Sequence, residues 1–217
     1  MAQKVEKGLF ITFEGPEGCG KSTQSRRICE ELRAEGYDVI HTVEPGGTSL
    51  GQNIRALLLE KESIELSRKA EILLFETDRA QHVEQIIVPA LLEGKIVICD
   101  RYNTATFAYQ GYGLGADMEF IKKIDDAVTG GLEPHLTVLM DIDVETGLKR
   151  AGNTGVADRM EKRDLKFHEK VRAGYLDLAE KYPKRIRVIK VNDGIDEVYG
   201  LVRKQVYDIV ERYKRSE

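Results

Sequence analysis

The sequence predicts an α/β protein built on a parallel sheet, and three observations lead to that prediction. Short apolar runs alternate with longer helical patterns along the whole chain. Strands separated by helices form right-handed βαβ units, whose parallel sheet carries helices on both faces. A glycine-rich turn also joins the first predicted strand to the first predicted helix. We therefore expect a five-stranded parallel sheet in one domain spanning residues 1–217.

The strands are predicted from short apolar runs bounded by turn residues. The first run, GLFITFE at residues 8–14, is rich in β-branched and aromatic side chains. Four further strands are predicted at residues 38–43, 95–99, 136–140 and 185–191.

Longer periodic segments predict helices at residues 21–35, 48–60, 67–92 and 195–214. Gly36 is expected to end the first helix, because glycine readily adopts the left-handed conformation of that position. Pro89 is expected to kink or shorten the last turn of the third helix, since proline lacks the N–H and clashes with the preceding turn.

Composition excludes several classes of protein. The 217 residues are 41% hydrophobic and 32% charged, with a net charge of −4, which is typical of a globular domain. This balance gives no overall attraction to nucleic acid or to an anionic membrane. No apolar run approaches the roughly 18 residues that span a bilayer. We expect a cytoplasmic protein without nucleic-acid or membrane partners.

The cysteines support the same location. Cys19, Cys29 and Cys99 are odd in number and form no C-x-x-C pair. That pattern suits a reducing compartment and predicts neither a disulfide framework nor a zinc site. Buried, inert thiols are expected.

A phosphate-binding loop is predicted directly after the first strand. Residues 15–22, GPEGCGKS, match G-x-x-x-x-G-K-[ST] between a strand and a helix, the context that this motif requires. Backbone N–H groups would hold the phosphates, Lys21 would reach the β- and γ-phosphates, and the Ser22 hydroxyl would ligate Mg²⁺. The predicted ATP-binding residues are Gly15, Pro16, Glu17, Gly18, Cys19, Gly20, Lys21, Ser22 and Thr23.

A basic segment at residues 149–172 carries eight Lys or Arg against four acids. It is either a solvated surface loop or a mobile lid over the phosphates. The chain has no N-K-x-D motif, so a GTPase is disfavoured. A short P-loop chain with a basic lid favours phosphoryl transfer to a small acceptor, because closure excludes water.

Several motifs, in order, resemble those of bacterial thymidylate kinase. They are FITFEGPEG at 10–18, EPGGT at 44–48, LLF at 73–75 with Arg79, DRY at 100–102, AYQG at 108–111 and DLKFH at 164–168. The resemblance implies a P-loop nucleoside monophosphate kinase fold with a small lid at about residues 150–163. It also implies the reaction ATP + dTMP ⇌ ADP + dTDP with Mg²⁺, in a homodimer.

The resemblance assigns roles on the acceptor side. Phe75 would stack on thymine and Arg79 would donate to a thymine carbonyl, and their i, i+4 spacing places both on one helix face. Tyr109 would lie under the sugar and Glu17 would bind the 3′-hydroxyl. Arg55 would face the dTMP phosphate. The implied dTMP-binding residues are Glu17, Pro45, Arg55, Phe75, Arg79, Arg101, Thr106, Tyr109 and Gln110. Alone, Phe75 would more simply be a core residue.

The resemblance also implies the catalytic set. Arg101 would bridge the acceptor phosphate and the transferred group, while Asp100 would act through the Mg²⁺ shell with Ser22. The alternative for this pair is a simple salt bridge at the strand end. Some family members carry a catalytic arginine in the P-loop and others in the lid, and this sequence is similar to the second kind. The implied catalytic residues are Lys21, Asp100, Arg101, Arg150 and Arg159.

Three positions depart from the family pattern: Val43 and Leu114 replace arginines, and Ala105 replaces a serine. Lost positive charge near the acceptor could alter dTMP affinity. Two rivals stay open, a P-loop kinase for another nucleoside or monophosphate and a non-catalytic nucleotide-binding protein. The apolar residues Ile72, Leu73, Ile86, Ile87 and Leu91 could belong to the core or to a dimer interface.

Overall fold

The computed structural model describes residues 8–60, 64–153, 158–192 and 194–214. In these ranges, five parallel strands form one sheet in the order β2-β3-β1-β4-β5. The strands are β1 (Leu9–Glu14), β2 (Val39–Val43), β3 (Ile96–Asp100), β4 (Leu136–Asp141) and β5 (Ile186–Lys190). All five predicted strands are confirmed, and no boundary is shifted by more than one residue.

Helices connect the strands and cover the sheet. They are α1 (Lys21–Ala34), α2 (Ser49–Arg55), α3 (Arg68–His82), α4 (Val88–Leu92), α5 (Asn103–Thr106), α6 (Met118–Thr129), α7 (Val144–Gly152), α8 (Leu165–Lys181) and α9 (Ile195–Lys214). Three wider, π-helical stretches extend α2, α3 and α5, at Ala56–Glu60, Val83–Ile87 and Phe107–Gly113.

The predicted helix at 67–92 is interrupted before Pro89. It consists of α3, the π-helical stretch Val83–Ile87 and α4, and Pro89 lies in the first turn of α4. A missing N–H costs little in a first turn, so α4 continues past the proline to Leu92. The expected shortening of the last turn at Pro89 is therefore wrong, and the helix instead widens one turn earlier.

Four helices were not assigned from the sequence: α5, α6, α7 and α8. Three of them carry an aspartate cap that accepts backbone hydrogen bonds, Asp117 before α6, Asp143 before α7 and Asp164 before α8. The basic segment 149–172 thus begins with the end of α7 and finishes with the start of α8, and the described residues between these helices, 158–164, are not helical. Residues 154–157 of the expected lid lie outside the described residues.

The core lies on both faces of the sheet. On one face α1 and α9 contribute Ile28, Leu32 and Val202, which pack against Ile11 and Val138. On the other face Ile87 and Leu91 pack against Phe10 and Val97, and α8 covers a neighbouring cluster.

Burial resolves most of the undecided apolar residues. Ile72, Ile87 and Leu91 are core residues, whereas Leu73 is 46% exposed. All three cysteines are buried free thiols, as expected. No helix within the described residues is both long and apolar enough to cross a membrane.

The sheet brings the predicted motifs to one edge. β2, β3 and β1 are neighbours, and the last residue of β3, Asp100, lies opposite Phe13 and Val43. The loops that follow these strands therefore emerge side by side at the carboxyl edge, where open α/β sheets bind ligands.

Adjacent leucines at the end of α4 test this packing. Leu91 is fully buried, whereas Leu92 is 53% exposed. Leu91→Ala is expected to lower the free energy of unfolding by about 2–5 kcal/mol, because it leaves a cavity in the core. Leu92→Ala should change it by about 0.5 kcal/mol or less. Urea unfolding measures both, and equal losses would contradict the assignment.

Candidate active site

A cavity of about 220 Å³ opens at the carboxyl edge of the sheet. We call it the acceptor cavity. It is lined by all nine residues that the resemblance assigned to dTMP, together with Lys21, Ser22 and Asp100. The remaining lining residues are Val43, Glu44, Leu59, Tyr102, Ala105, Asp158, Met160 and Glu161.

The phosphate-binding loop depends on two close backbone contacts. Gly15 has φ +143°, and a Cβ there would lie 2.4 Å from the Met140 carbonyl oxygen. A Cβ on Gly18 would lie 1.9 Å from the Gly147 oxygen, and one on Gly147 would lie 2.4 Å from the Glu17 oxygen. Only glycines permit this packing of the loop against β4 and α7. The loop then leads into α1, whose N-terminus is a ready anion site.

Arg101 ties this loop to the end of β3. Its backbone has φ +67°, which is uncommon for a residue other than glycine. Its Nη1 donates to the Gly15 carbonyl and the Tyr175 hydroxyl, both at 3.1 Å. Its Nη2 donates to Glu17 Oε1 at 3.0 Å and to the Tyr109 hydroxyl at 3.1 Å. Among the described residues its ion pair is therefore with Glu17, and the alternative of an Asp100–Arg101 pair is wrong.

Glu17 is held as a carboxylate at the mouth of the loop. Burial acts to raise its pKa, but Arg101, Lys21 and the Tyr109 hydroxyl outweigh burial and lower the pKa to about 2. The Tyr109 hydroxyl donates to Glu17 Oε1 at 2.6 Å. An ionised carboxylate beside Tyr109, with its side chain 13% exposed, is a ready acceptor for a sugar hydroxyl.

Asp100 lies buried beside Ser22 and supplies a hard oxygen. Burial opposes ionisation, yet the side chains of His41, Ser25 and Ser22 keep its pKa below the usual value. Asp100 Oδ1 is 3.6 Å from His41 Nε2 and accepts no hydrogen bond within the described part of the chain. An unpaired carboxylate oxygen next to a P-loop hydroxyl fits Mg²⁺, which takes one or two protein oxygens and completes its shell with water and phosphate.

Arg79 is fixed by three buried carboxylates. It is 2% exposed, and its Nε donates to Glu44 at 2.9 Å. Its Nη1 donates to Glu76 and, at 3.4 Å, to Asp125, while Nη2 donates to the Thr106 hydroxyl at 3.0 Å. A guanidinium has five N–H donors. One N–H of Nη2 is therefore left for a ligand, and the guanidinium also lines the acceptor cavity.

The other base-side residues are also tied to the protein. Phe75 is half-buried, packs against the core cluster under α8 and also lines the cavity. Gln110 Nε2 donates to Glu71 Oε1 at 3.0 Å, and Arg55 Nη1 donates to the Pro45 carbonyl at 2.9 Å. These bonds set the side chains before any ligand arrives.

Neither of the two arginines assigned to the lid lines the acceptor cavity. Arg150 lines a second cavity of about 300 Å³, which we call the donor cavity, on the other side of the loop. Its other lining residues are Gly18, Cys19, Gly20, Thr23, Gln24, Met140, Val191, Gly194, Ile195 and Val198. Arg159 lines neither cavity and has Nη2 3.9 Å from Glu71 Oε2. Asp158, Met160 and Glu161 face the acceptor cavity instead, and sequence reasoning missed them.

The departures from the family pattern separate in space. Val43 and Ala105 line the acceptor cavity. Leu114 lines another depression with Arg68, Arg163, Lys166 and Lys170. Leu114 therefore lies outside the lining of the acceptor cavity.

The buried Glu14 gives a pH test of the site. Burial raises the pKa of Glu14 to about 7, against the charges of Arg101 and Lys21. It accepts from the Tyr102 N–H at 2.8 Å and the Tyr175 hydroxyl at 2.9 Å. The folded protein thus keeps a proton that the unfolded chain releases near its ordinary pKa of 4.5. Unfolding free energy should fall with rising pH by roughly 2 kcal/mol between pH 5 and 8 from this group.

Glu14→Gln should remove that slope, because the amide does not titrate. Urea unfolding of both proteins at pH 5 and pH 8 measures the difference. Parallel pH profiles for the wild type and the variant would exclude Glu14 as the source.

Comparison with known proteins places this geometry in a family. Residues 13–201 match the family model described as thymidylate kinase. The chain is 44% identical to a thymidylate kinase of Desulfovibrio desulfuricans, covering 96% of this chain and 99% of that one. It is 49% identical to one of a Nostoc species, over 82% and 86%. The crystal structure of thymidylate kinase from Ehrlichia chaffeensis superposes with a TM-score of 0.76 at 37% identity, covering 92% of this chain and 98% of that chain. The chain therefore belongs to the thymidylate kinase family, and its activity is the ATP-dependent phosphorylation of dTMP to dTDP.

Proposed function

We propose that this chain transfers the γ-phosphoryl group of ATP to dTMP within the acceptor cavity, with Mg²⁺ as cofactor. One observation carries the proposal. The nine residues assigned to dTMP, which come from five separate stretches of sequence, line one cavity with Lys21 and Ser22. A phosphate-binding loop and an acceptor pocket that share one wall bring two phosphorylated substrates together.

On the donor side, the N–H groups of residues 15–23 and the N-terminus of α1 would hold the phosphates of ATP. Lys21 would reach the transferred group, and Ser22 with Asp100 would hold Mg²⁺. The metal would supply charge neutralisation across the β- and γ-phosphate oxygens. Arg150 lies in the donor cavity, so we propose that it contacts the nucleoside part of ATP and not the transferred group.

Arg101 would change partners when the substrates bind. Its four hydrogen bonds go to Gly15 and Glu17 in the phosphate-binding loop and to the hydroxyls of Tyr109 and Tyr175. A guanidinium held there would bridge donor and acceptor phosphates and neutralise charge as it develops. The chemistry asks little else of the protein than positioning and electrostatics.

On the acceptor side, the free N–H of Arg79 would select the base. A guanidinium only donates, so it favours the O4 acceptor of thymine over the amino group of cytosine. Phe75 would stack on the ring, which is worth roughly 0.5–1.5 kcal/mol beyond burial. Tyr109 and the Glu17 carboxylate would receive the sugar and its 3′-hydroxyl. Arg55 would face the dTMP phosphate. That Arg159 reaches the transferred group when the lid closes stays a prediction.

A substrate panel tests the proposal. ADP formation from Mg·ATP should be fastest with dTMP, slower with dUMP, and near zero with UMP, dCMP, thymidine or no acceptor. EDTA should abolish turnover, and excess Mg²⁺ should restore it. Lys21→Ala should lower kcat at least about a hundredfold, by loss of a charge on the transferred group.

Each failure of the panel has a different meaning. Equal rates across the monophosphates would exclude the specificity assigned to Arg79 and Tyr109. ATP binding without turnover would favour the non-catalytic rival.

We also propose a cytoplasmic homodimer. Three buried free thiols fit a reducing compartment. Leu50 on α2 and Leu73 on α3 are 44% and 46% exposed, and these two helices pack against each other. An apolar surface of this kind suits a second copy of the chain.

Leu73→Glu should convert the dimer to a monomer, because it would bury an unpaired charge at the interface. Sedimentation should show the mass falling from twice 24.5 kDa to 24.5 kDa. Leu201→Glu on α9, at a leucine that is also 46% exposed, is the matched control and should stay dimeric. A monomeric wild type would contradict the proposal.

A further inference from the structure

Glu71 is a buried carboxylate that the family assignment leaves without a role. It lies on α3 one turn before Phe75 and two turns before Arg79, so the i, i+4, i+8 spacing places all three on one helix face. Phe75 and Arg79 line the acceptor cavity, whereas Glu71 is 1% exposed and does not. A charge so fully withdrawn from water needs partners to compensate its desolvation.

The partners of Glu71 come from two different parts of the site. Its Oε1 accepts from Nε2 of Gln110, which lines the acceptor cavity, at 3.0 Å. Its Oε2 lies 3.9 Å from Arg159 Nη2 and 3.8 Å from Arg163 Nη2. The first contact is a hydrogen bond, and the other two are ion pairs at longer range.

Both arginines belong to the segment 158–163, which we call the lid return. This segment is placed over the acceptor cavity. Asp158, Met160 and Glu161 line the cavity, and the Arg159 N–H donates to the carbonyl of Leu59, another lining residue, at 3.2 Å. Arg159 Nη1 is buried and has no hydrogen-bond partner in the described ranges. Within the described ranges, the acid that pairs with this guanidinium is Glu71.

We propose that Glu71 is a positioning residue of the kinase reaction, whose negative charge holds the lid return over the acceptor cavity by attracting Arg159 and Arg163. The proposal rests on the function proposed above. Glu71 touches neither the phosphates nor dTMP in this assignment. It acts through Arg159 and Arg163 on one side and through Gln110 on the other. Glu71 therefore couples the position of the lid return to that of Gln110 in the lining of the acceptor cavity.

The variant Glu71→Gln separates these two actions. Its amide oxygen can still accept from Gln110, but its NH₂ group places donors opposite the guanidinium donors. KM for dTMP should change less than about threefold, while kcat should fall about tenfold because the lid return is no longer held. Trypsin should cleave the ligand-free variant after Lys162 several-fold faster, since cleavage reports local opening.

A double-mutant cycle identifies the partner. Arg163, whose side chain is 35% exposed, can be changed to Gln with little risk to folding. Arg163→Gln alone should lower kcat several-fold, and should add less than about twofold in the Glu71→Gln background. Glu119→Gln removes an exposed acid of α6 that pairs with Lys123, and as the matched control it should leave kcat and cleavage unchanged.

The outcomes separate this proposal from the proposed function. A wild type that does not phosphorylate dTMP would overturn the function, whereas the cleavage assay on ligand-free protein would still test Glu71. An active wild type with unchanged kcat and cleavage in Glu71→Gln would overturn the positioning role. A raised KM with unchanged kcat would overturn it as well, because Glu71 would then act only through Gln110. If Glu71→Gln does not fold, Arg163→Gln with wild-type kcat and cleavage would overturn it.

Discussion

The site depends on one guanidinium at the end of the central strands. Arg101 leaves β3 in a left-handed conformation, and its side chain then spans the phosphate loop, Tyr109 and Tyr175. The Glu14 carboxyl group accepts hydrogen bonds from the Tyr102 N–H, which follows Arg101 in the chain, and from the Tyr175 hydroxyl. Strain in a backbone of this kind costs about 1–3 kcal/mol and persists only where its surroundings fix it. Here the fixing groups come from β1, the phosphate loop, the π-helical stretch that carries Tyr109, and α8, so the fold itself holds this guanidinium in position.

Charge balance divides the site into two halves. Around the phosphate-binding loop, Glu17 and Asp100 remain ionised, because Arg101 and Lys21 lie near Glu17 and His41 lies near Asp100. Around Arg79 buried acids dominate, and burial raises the pKa of Glu76 to about 7 and that of Asp78 to about 6. Hydrogen bonds to Glu44, Glu76 and Asp125 hold the Arg79 guanidinium in place.

The sequence predicted what is encoded locally. The five strands and the phosphate loop follow from patterns within short segments. The resemblance singled out Phe75 and Arg79, and their i, i+4 spacing then placed both on one helix face. The partners of Arg79 could not be predicted in this way. Glu44 and Asp125 lie 35 and 46 residues away from Arg79 and reach it only through the packing of β2, α3 and α6. Composition indicated the basic segment 149–172, and the resemblance then implied Arg150 and Arg159 as its catalytic arginines, but neither argument gives the direction of a side chain. The missed helices α6, α7 and α8 had readable aspartate caps, and the basic composition of 149–172 concealed part of this pattern.

The contact between the phosphate loop and α7 has a mechanical consequence. Gly18 and Gly147 bring two backbones within van der Waals distance, with no side chain between them to yield. Interiors this tightly packed transmit displacement instead of absorbing it. Because α7 leads directly toward the lid, a tilt of that helix would move the Gly147 carbonyl against the loop. The loop would then shift by about the same distance as the carbonyl. Because neither glycine has a side chain, the backbone of α7 contacts the backbone of the loop directly, and a movement of one would displace the other.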